Sequence, residues 1–253
     1  MPCAPEVTLG EGRTPLVPLT ASVSAKLDFL MPTLSFKDRG AVVLAAHALR
    51  LARAGGLDRV VADSSGNAGT AAAAYCARAG LDCRVYVPGG TSPKKVEQIR
   101  AHGAEVVEVP GDREATARAA REAADEPGTF YASHVHNPYF TQGTKTYVYE
   151  LWEDLGGRLP DTIVVPVGNG TLLLGAALAV DELHRHGLVE TRPALVAVQA
   201  EAVSPLAEAF HAGADDIAGR PPPAPPSPRA SRSRRRPGPG RSCGRSGRRA
   251  ARS

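Results

Sequence analysis

Short apolar runs rich in valine, at residues 59–62, 83–87, 105–109, 129–132, 162–167 and 194–199, alternate with alanine-rich segments of helical spacing. That alternation is the pattern of parallel strands joined by crossover helices. It predicts helices over 38–53, 68–79, 93–102, 112–124, 141–152 and 171–186. Ser92-Pro93 and Gly111-Asp112 mark two helix starts, and Gly55-Gly56, Gly80 and Gly103 mark ends. The expected fold class is α/β, built on doubly wound parallel sheets.

The formal charge of +4 does not describe the whole chain. Residues 220–253 hold 11 arginines and no acidic residue, which leaves 19 basic against 26 acidic residues over 1–219, a net charge of −7. An acidic body with no basic-aromatic pattern is a poor nucleic-acid binder, so a nucleic-acid partner is not expected. The segment 220–253, opening on Pro221-Pro222-Pro223, has almost no large apolar side chain and is expected to be disordered. It reads either as a flexible basic tail or as GC-rich sequence translated out of frame. The absence of lysine and of any period favours the frameshift. Cys3, Cys76, Cys83 and Cys243 lack metal-ligand spacing and are read as structural or incidental reduced thiols, in keeping with a cytoplasmic protein. No basic leader with an apolar run opens the chain and no stretch approaches a membrane span, so neither export nor a membrane partner is expected.

Three glycine-marked junctions carry the candidate chemistry. Lys37 lies in Ser35-Phe36-Lys37-Asp38-Arg39-Gly40 at the start of the first helix, with Asp38 and Arg39 beside it. Alone it is more simply a surface lysine than a nucleophile, but such an amine can form a Schiff base with a carbonyl cofactor. In Ser64-Ser65-Gly66-Asn67-Ala68-Gly69-Thr70 a strand ends and a helix begins, so amides and hydroxyls converge at a positive helix end. That suits a substrate carboxylate, and it equally suits an ordinary serine cap with a tight turn. Val167-Gly168-Asn169-Gly170-Thr171 stands at another strand-to-helix junction, where glycines let a phosphate approach the free amides. It is neither a Walker loop nor a full G-x-G-x-x-G, since Gly175 completes only a looser spacing. Jointly, an amine, a carboxylate loop and a phosphate loop are what pyridoxal 5'-phosphate requires. His134 and His136 lack metal partners and are read as a polar pocket wall, with no metal site assigned. Lys94 and Lys95 are read as a solvated helix start, His184 and His186 as favourable charge at a helix end, and Tyr147, Tyr149 and Trp152 as core or interface.

In these motifs the chain resembles the fold-type II pyridoxal-phosphate enzymes, the tryptophan synthase β-like superfamily, and most of all its threonine synthase group. The likeness runs from Thr8 to Asp215. It begins at Glu11-Gly12-Arg13-Thr14-Pro15-Leu16, passes through the three junctions, and includes Asn137-Pro138-Tyr139 and Gly143-Thr144-Lys145-Thr146. The resemblance implies Lys37 as Schiff-base lysine and general base, and Asn67 beside the pyridine 3′-oxygen. It implies Ser64, Ser65, Gly66 and Asn67 around the substrate carboxylate, and Gly168, Asn169, Gly170, Thr171 and Leu172 on the cofactor phosphate. It further implies two doubly wound domains, the smaller (40–145) inserted in a larger one made of 1–39 and 146–219, and commonly a homodimer.

Two departures qualify that likeness. Phe140 stands where the threonine synthase pattern has an arginine that grips the phosphate of O-phosphohomoserine, and an aromatic ring cannot neutralise a dianion. Lys94, Lys95 and His134 are the candidates to compensate. The later strands, and the Ser or Thr that meets the pyridine nitrogen, should follow Ile217, where 220–253 offers no replacement. The expected function is thus a lyase acting on a small amino acid by elimination or replacement. A serine/threonine dehydratase and a non-catalytic truncated remnant are the alternatives.

Overall fold

The computed structural model describes residues 7–214 and 217. The expectations for 220–253, Cys3 and Cys243 lie outside them. Strands β1 (Leu16–Pro18) and β2 (Ser24–Lys26) form an antiparallel hairpin, and one 3-10 turn (Asp28–Leu30) leads to helix α1 (Lys37–Arg53). Then follow β3 (Arg59–Ala62), α2 (Asn67–Ala79), β4 (Cys83–Pro88), α3 (Pro93–Arg100), β5 (Glu105–Val109), α4 (Arg113–Ala124) and β6 (Thr129–Tyr131). The chain continues through α5 (Pro138–Thr144), α6 (Thr146–Asp154), β7 (Thr162–Pro166), α7 (Thr171–Arg185), β8 (Ala194–Val198) and α8 (Pro205–His211).

Strands β3 to β6 form one parallel sheet in the order β5-β4-β3-β6. Successive side chains of a strand point to opposite faces, and both faces here are apolar. Val60, Ala62, Val85 and Val87 pack on Leu44 and Ala48 of α1, Ala73 and Cys76 of α2, and Val96 and Ile99 of α3. Val61 and Tyr86 face Ala120 of α4 across the sheet. Helices therefore cover both faces, which is what a parallel sheet needs. Cys76 and Cys83 are free thiols inside this core.

The chain turns back between β5 and β6, so the strand order reverses beside β3. Ligands of open α/β sheets bind at the carboxyl ends of strands at such a switch point. Here the segments that leave β3 and β6, 63–67 and 132–137, flank it.

Strands β7 and β8 pair in parallel as a second sheet. Ile163, Val165 and Val167 pack on Tyr147, Val148 and Leu151 of α6 and on Ala176, Ala179, Val180 and Leu183 of α7. The opposite face, with Val164, Val196 and Val198, is exposed among the described residues. Gln199 ties this sheet to α8, donating to the Val167 carbonyl and accepting from Leu206 and Ala207 N–H at 3.0 Å.

The helix expected over 141–152 is two helices. Asn137 accepts from Tyr139 N–H at 3.1 Å and Pro138 occupies the first turn, so α5 starts earlier than periodicity indicated. At Lys145 the ladder tightens, with Val148 N–H bonded to the Lys145 carbonyl three residues back.

Candidate active site

Lys37 opens α1, and a turn closed by its neighbour fixes its place. The Asp38 carboxylate reaches back to accept from the backbone N–H of Thr33 at 2.7 Å and from the Thr33 hydroxyl. Leu34, inside that turn, has φ +61, a left-handed conformation rare for a leucine. Asp38 is therefore committed to the turn rather than to the lysine amine. Arg39 also points away. Its guanidinium, 1% exposed, pairs with Asp28 at 2.8 Å and Glu150 at 2.5 Å and donates to Thr14 and Thr146. Burial pushes the Glu150 carboxyl up, but the Arg39 hydrogen bonds and charge win and hold it at about 2. Arg39 thus locks α1 to α6 and to the Glu11–Leu16 motif, whose Glu11 accepts from the Tyr75 hydroxyl at 3.0 Å. Breaking such a buried pair costs about 3–5 kcal/mol.

With its neighbours turned elsewhere, Lys37 faces aromatic surface. Its Nζ lies 4.3 Å from the Phe36 ring centroid and 5.6 Å from that of Phe140. Burial brings its amine down to about 8 from the usual 10.5. Phe140, 2% exposed, lies flat against Gly40, where a Cβ would fall 2.5 Å from the ring. Its edge meets His134, ring centroids 6.0 Å apart. Burial, then the charges of Lys37, Arg113 and His136, bring His134 down to about 4, so it is a neutral imidazole. His136 is exposed.

Across a cavity of about 370 Å³ from Phe36 and Lys37 lie Pro166, Gly168, Asn169, Gly170, Thr171 and Leu172. That volume falls in the range of small-molecule sites. Gly170, at φ +87, caps α7, and the Asn169 carboxamide oxygen accepts from the Thr171 N–H at 3.3 Å and hydroxyl at 3.1 Å. A Cβ on Gly168 or Gly170 would meet no protein atom within 4 Å and would stand in open space. The glycines keep clear the approach to the first-turn amides, the geometry of an anion cradle.

The loop expected to receive a carboxylate, residues 64–67, stands apart from that lining. Ser64, Ser65 and Gly66 leave the end of β3 half-buried, Asn67 is exposed, and Ser64 Oγ accepts from Gly66 N–H at 3.3 Å. Gly69 lets α2 press onto the loop, since a Cβ there would fall 1.9 Å from the Ser64 carbonyl oxygen. Phe140 and His134 bridge the two halves. They line a small, mostly apolar pocket with Ala68 of α2, while Phe140 also faces Lys37.

The remaining lysines are committed or exposed. Lys26 pairs with Glu150 and Asp154 at 2.9 and 2.8 Å, Lys145 binds both oxygens of Glu182 at 2.7 and 2.8 Å, and Lys94 and Lys95 are exposed at the start of α3. One lysine facing a glycine cradle is the arrangement a carbonyl cofactor with a phosphate requires. Residues 7–242 match the family model described as pyridoxal-phosphate dependent enzyme. The chain belongs to that family.

Within the pyridoxal-phosphate dependent enzymes it is of fold type II and most like the threonine synthases. It is 35% identical over 208 residues to the threonine synthase of Mycobacterium bovis, covering 79% of this chain and 56% of that one. To the threonine synthase of Methanocaldococcus jannaschii it is 31% identical over 220 residues, covering 83% and 53%. The chain thus spans about half the length of the curated relatives it matches. Among solved structures, an O-ureido-L-serine synthase superposes with a TM-score of 0.67 at 26% identity, over 78% of this chain and 63% of that one.

The residues present fit pyridoxal phosphate, the family's cofactor: an amine with no carboxylate partner among the described residues shares one cavity with an open glycine cradle. Sequence reasoning named both walls. It missed what joins them, namely Glu150 and Glu182. Each reads in sequence as an ordinary helix residue, and its partner lies more than 30 residues away.

Proposed function

We propose that this chain is a pyridoxal-phosphate-dependent lyase that acts on a small amino acid by elimination or replacement, in the manner of the threonine synthase group. The carrying observation is the cavity shared by Lys37 and Gly168–Leu172. In this reading Lys37 would hold the cofactor covalently and would take the α-proton of the substrate. An amine brought down to about 8 is suited to both tasks. The amides of Gly168, Asn169, Gly170, Thr171 and Leu172 hold the cofactor phosphate. Ser64, Ser65, Gly66 and Asn67 receive the substrate carboxylate at the positive end of α2, and Asn67 also meets the 3′-oxygen. Pyridoxal phosphate, when bound, supplies the electron sink for the pair left on the α-carbon. The four-stranded sheet supports 40–145 as the small domain inserted between 1–39 and 146–219.

A second reading, serine/threonine dehydratase, is favoured by Phe140. Its buried ring on Gly40 puts an uncharged wall where a phosphate-gripping arginine would stand. A dehydratase needs no such clamp. The partners proposed are a small amino-acid substrate and a second copy of the chain in a homodimer, in the cytoplasm and without nucleic acid. Among the described residues no helix is long and apolar enough to cross a membrane.

Phosphate release from O-phosphohomoserine and ammonia release from L-serine and L-threonine, measured on the full chain loaded with cofactor, test the reading. Ammonia release with little phosphate release supports the dehydratase branch, and the reverse supports threonine synthase. Cofactor held without turnover of either substrate supports the non-catalytic alternative. A chain that takes up no pyridoxal phosphate contradicts both enzyme readings.

A further inference from the structure

Asp63 follows β3, is 4% exposed, and directly precedes the loop Ser64–Asn67. A buried carboxylate needs partners, and they come from two other elements. Arg113, the first residue of α4, donates from Nη2 to the Asp63 carboxylate at 2.9 Å and from Nη1 to the Asp63 backbone carbonyl. The Tyr131 side chain, at the end of β6, is near the same carboxylate. Burial first, then that charge, push its phenol up to about 12. Arg113 is itself held by a rigid helix start, because Asp112 caps α4 by accepting from Ala115 N–H at 2.9 Å.

One guanidinium therefore grips both the side chain and the backbone of the residue from which the substrate loop departs. It does so at the switch point, where β3, β6 and the start of α4 converge at the carboxyl ends of the strands. The direction of the next amides follows from the orientation of the Asp63 peptide.

We propose that Arg113 is a positioning residue for the substrate carboxylate: by holding Asp63 it aims the amides and hydroxyls of Ser64, Ser65 and Gly66. The inference rests on the reading of 64–67 as the carboxylate loop. Arg113 touches neither cofactor nor substrate in this account. Its side chain is 52% exposed, so its removal opens no cavity in the core.

The test uses the full chain loaded with pyridoxal phosphate, titrated with L-serine and with ethanolamine while the cofactor absorbance is followed. Ethanolamine keeps the amine and hydroxyl of serine and lacks the carboxylate. The wild-type chain should bind serine more tightly than ethanolamine. Arg113→Ala should lose about tenfold in serine affinity, the scale of one charge-assisted hydrogen bond, with ethanolamine affinity and cofactor retention unchanged. Arg113→Lys should restore part of the loss. In the cofactor-free chain, amide exchange at residues 65–67 should rise in Arg113→Ala while α2 stays protected. An equal loss for both ligands, or unchanged serine affinity, overturns the inference alone. A wild-type chain that binds serine no better than ethanolamine overturns the loop reading and the inference with it.

Discussion

The Thr144 hydroxyl donates to the carbonyl oxygen of Thr171 at 3.2 Å, tying the end of α5 to the first residue of α7. On one side of this bond, a Cβ on Gly143 would fall 1.9 Å from the Arg39 carbonyl oxygen, so α5 lies directly on α1. On the other, a Cβ on Gly175 would fall 2.8 Å from Thr144 Oγ1 and 2.9 Å from the Lys145 nitrogen. Lys145 then anchors α7 through Glu182. The Gly143-Thr144-Lys145-Thr146 motif is thus the spacer that sets α1 against α7.

Gly175→Ala should push α7 off that spacer. Overpacking of this kind costs about 1–3 kcal/mol, readable as a lower urea midpoint, and cofactor retention should fall although residue 175 lines no part of the cavity. Unchanged stability and retention would show that α7 is not held there.

Gly168 and Gly170 should respond differently from Gly175 and from each other. Gly168→Val enters open space, so unfolding should be unaffected while affinity for pyridoxal phosphate drops. Gly170→Val adds a left-handed backbone penalty of about 1–2 kcal/mol to the same loss of affinity. Retained affinity in both variants would remove the cradle from the account.

The amine of Lys37 reacts only when neutral. Because burial brings it down to about 8, cofactor uptake by the wild-type chain should rise with pH through a midpoint near 8. Phe36→Ala exposes the amine, and the midpoint should move up toward the ordinary 10.5. The same midpoint in both proteins would show that the aromatic slot does not set it.

Acid should unlock α1 from α6. Glu150 titrates at about 2 when folded against an ordinary 4.5, so its contribution is fully present above pH 4.5 and is lost as pH falls toward 2. The shift corresponds to about 3 kcal/mol. Glu150→Gln should flatten the stability profile across that window, and a wild-type profile already flat there would contradict the pairing.

The alternation of valine runs and alanine-rich segments was legible because a short continuous apolar run and a 3.6-residue period are both written in neighbouring residues. For the same reason Lys37, the 64–70 junction and the 167–171 junction could be named: each is local. Asp38 and Arg39 show the limit. They adjoin Lys37 in sequence, yet the helix turns their side chains back to Thr33 and across to Glu150. Strands β1 and β2, three residues each, carry no period long enough to read, and seven-residue α8 has no buried face of its own. Trp152, expected in core or interface, packs against the α6–α7 core, with its Nε1 lacking a hydrogen-bond partner among the described residues. Nothing local in the sequence marks Arg113 or Glu182, because their partners are close only in space.

Borohydride reduction of the cofactor-loaded chain, followed by peptide mapping, tests the central claim most directly. The account predicts a pyridoxyl group on Lys37. The label on Lys26, Lys94, Lys95 or Lys145 instead would contradict it.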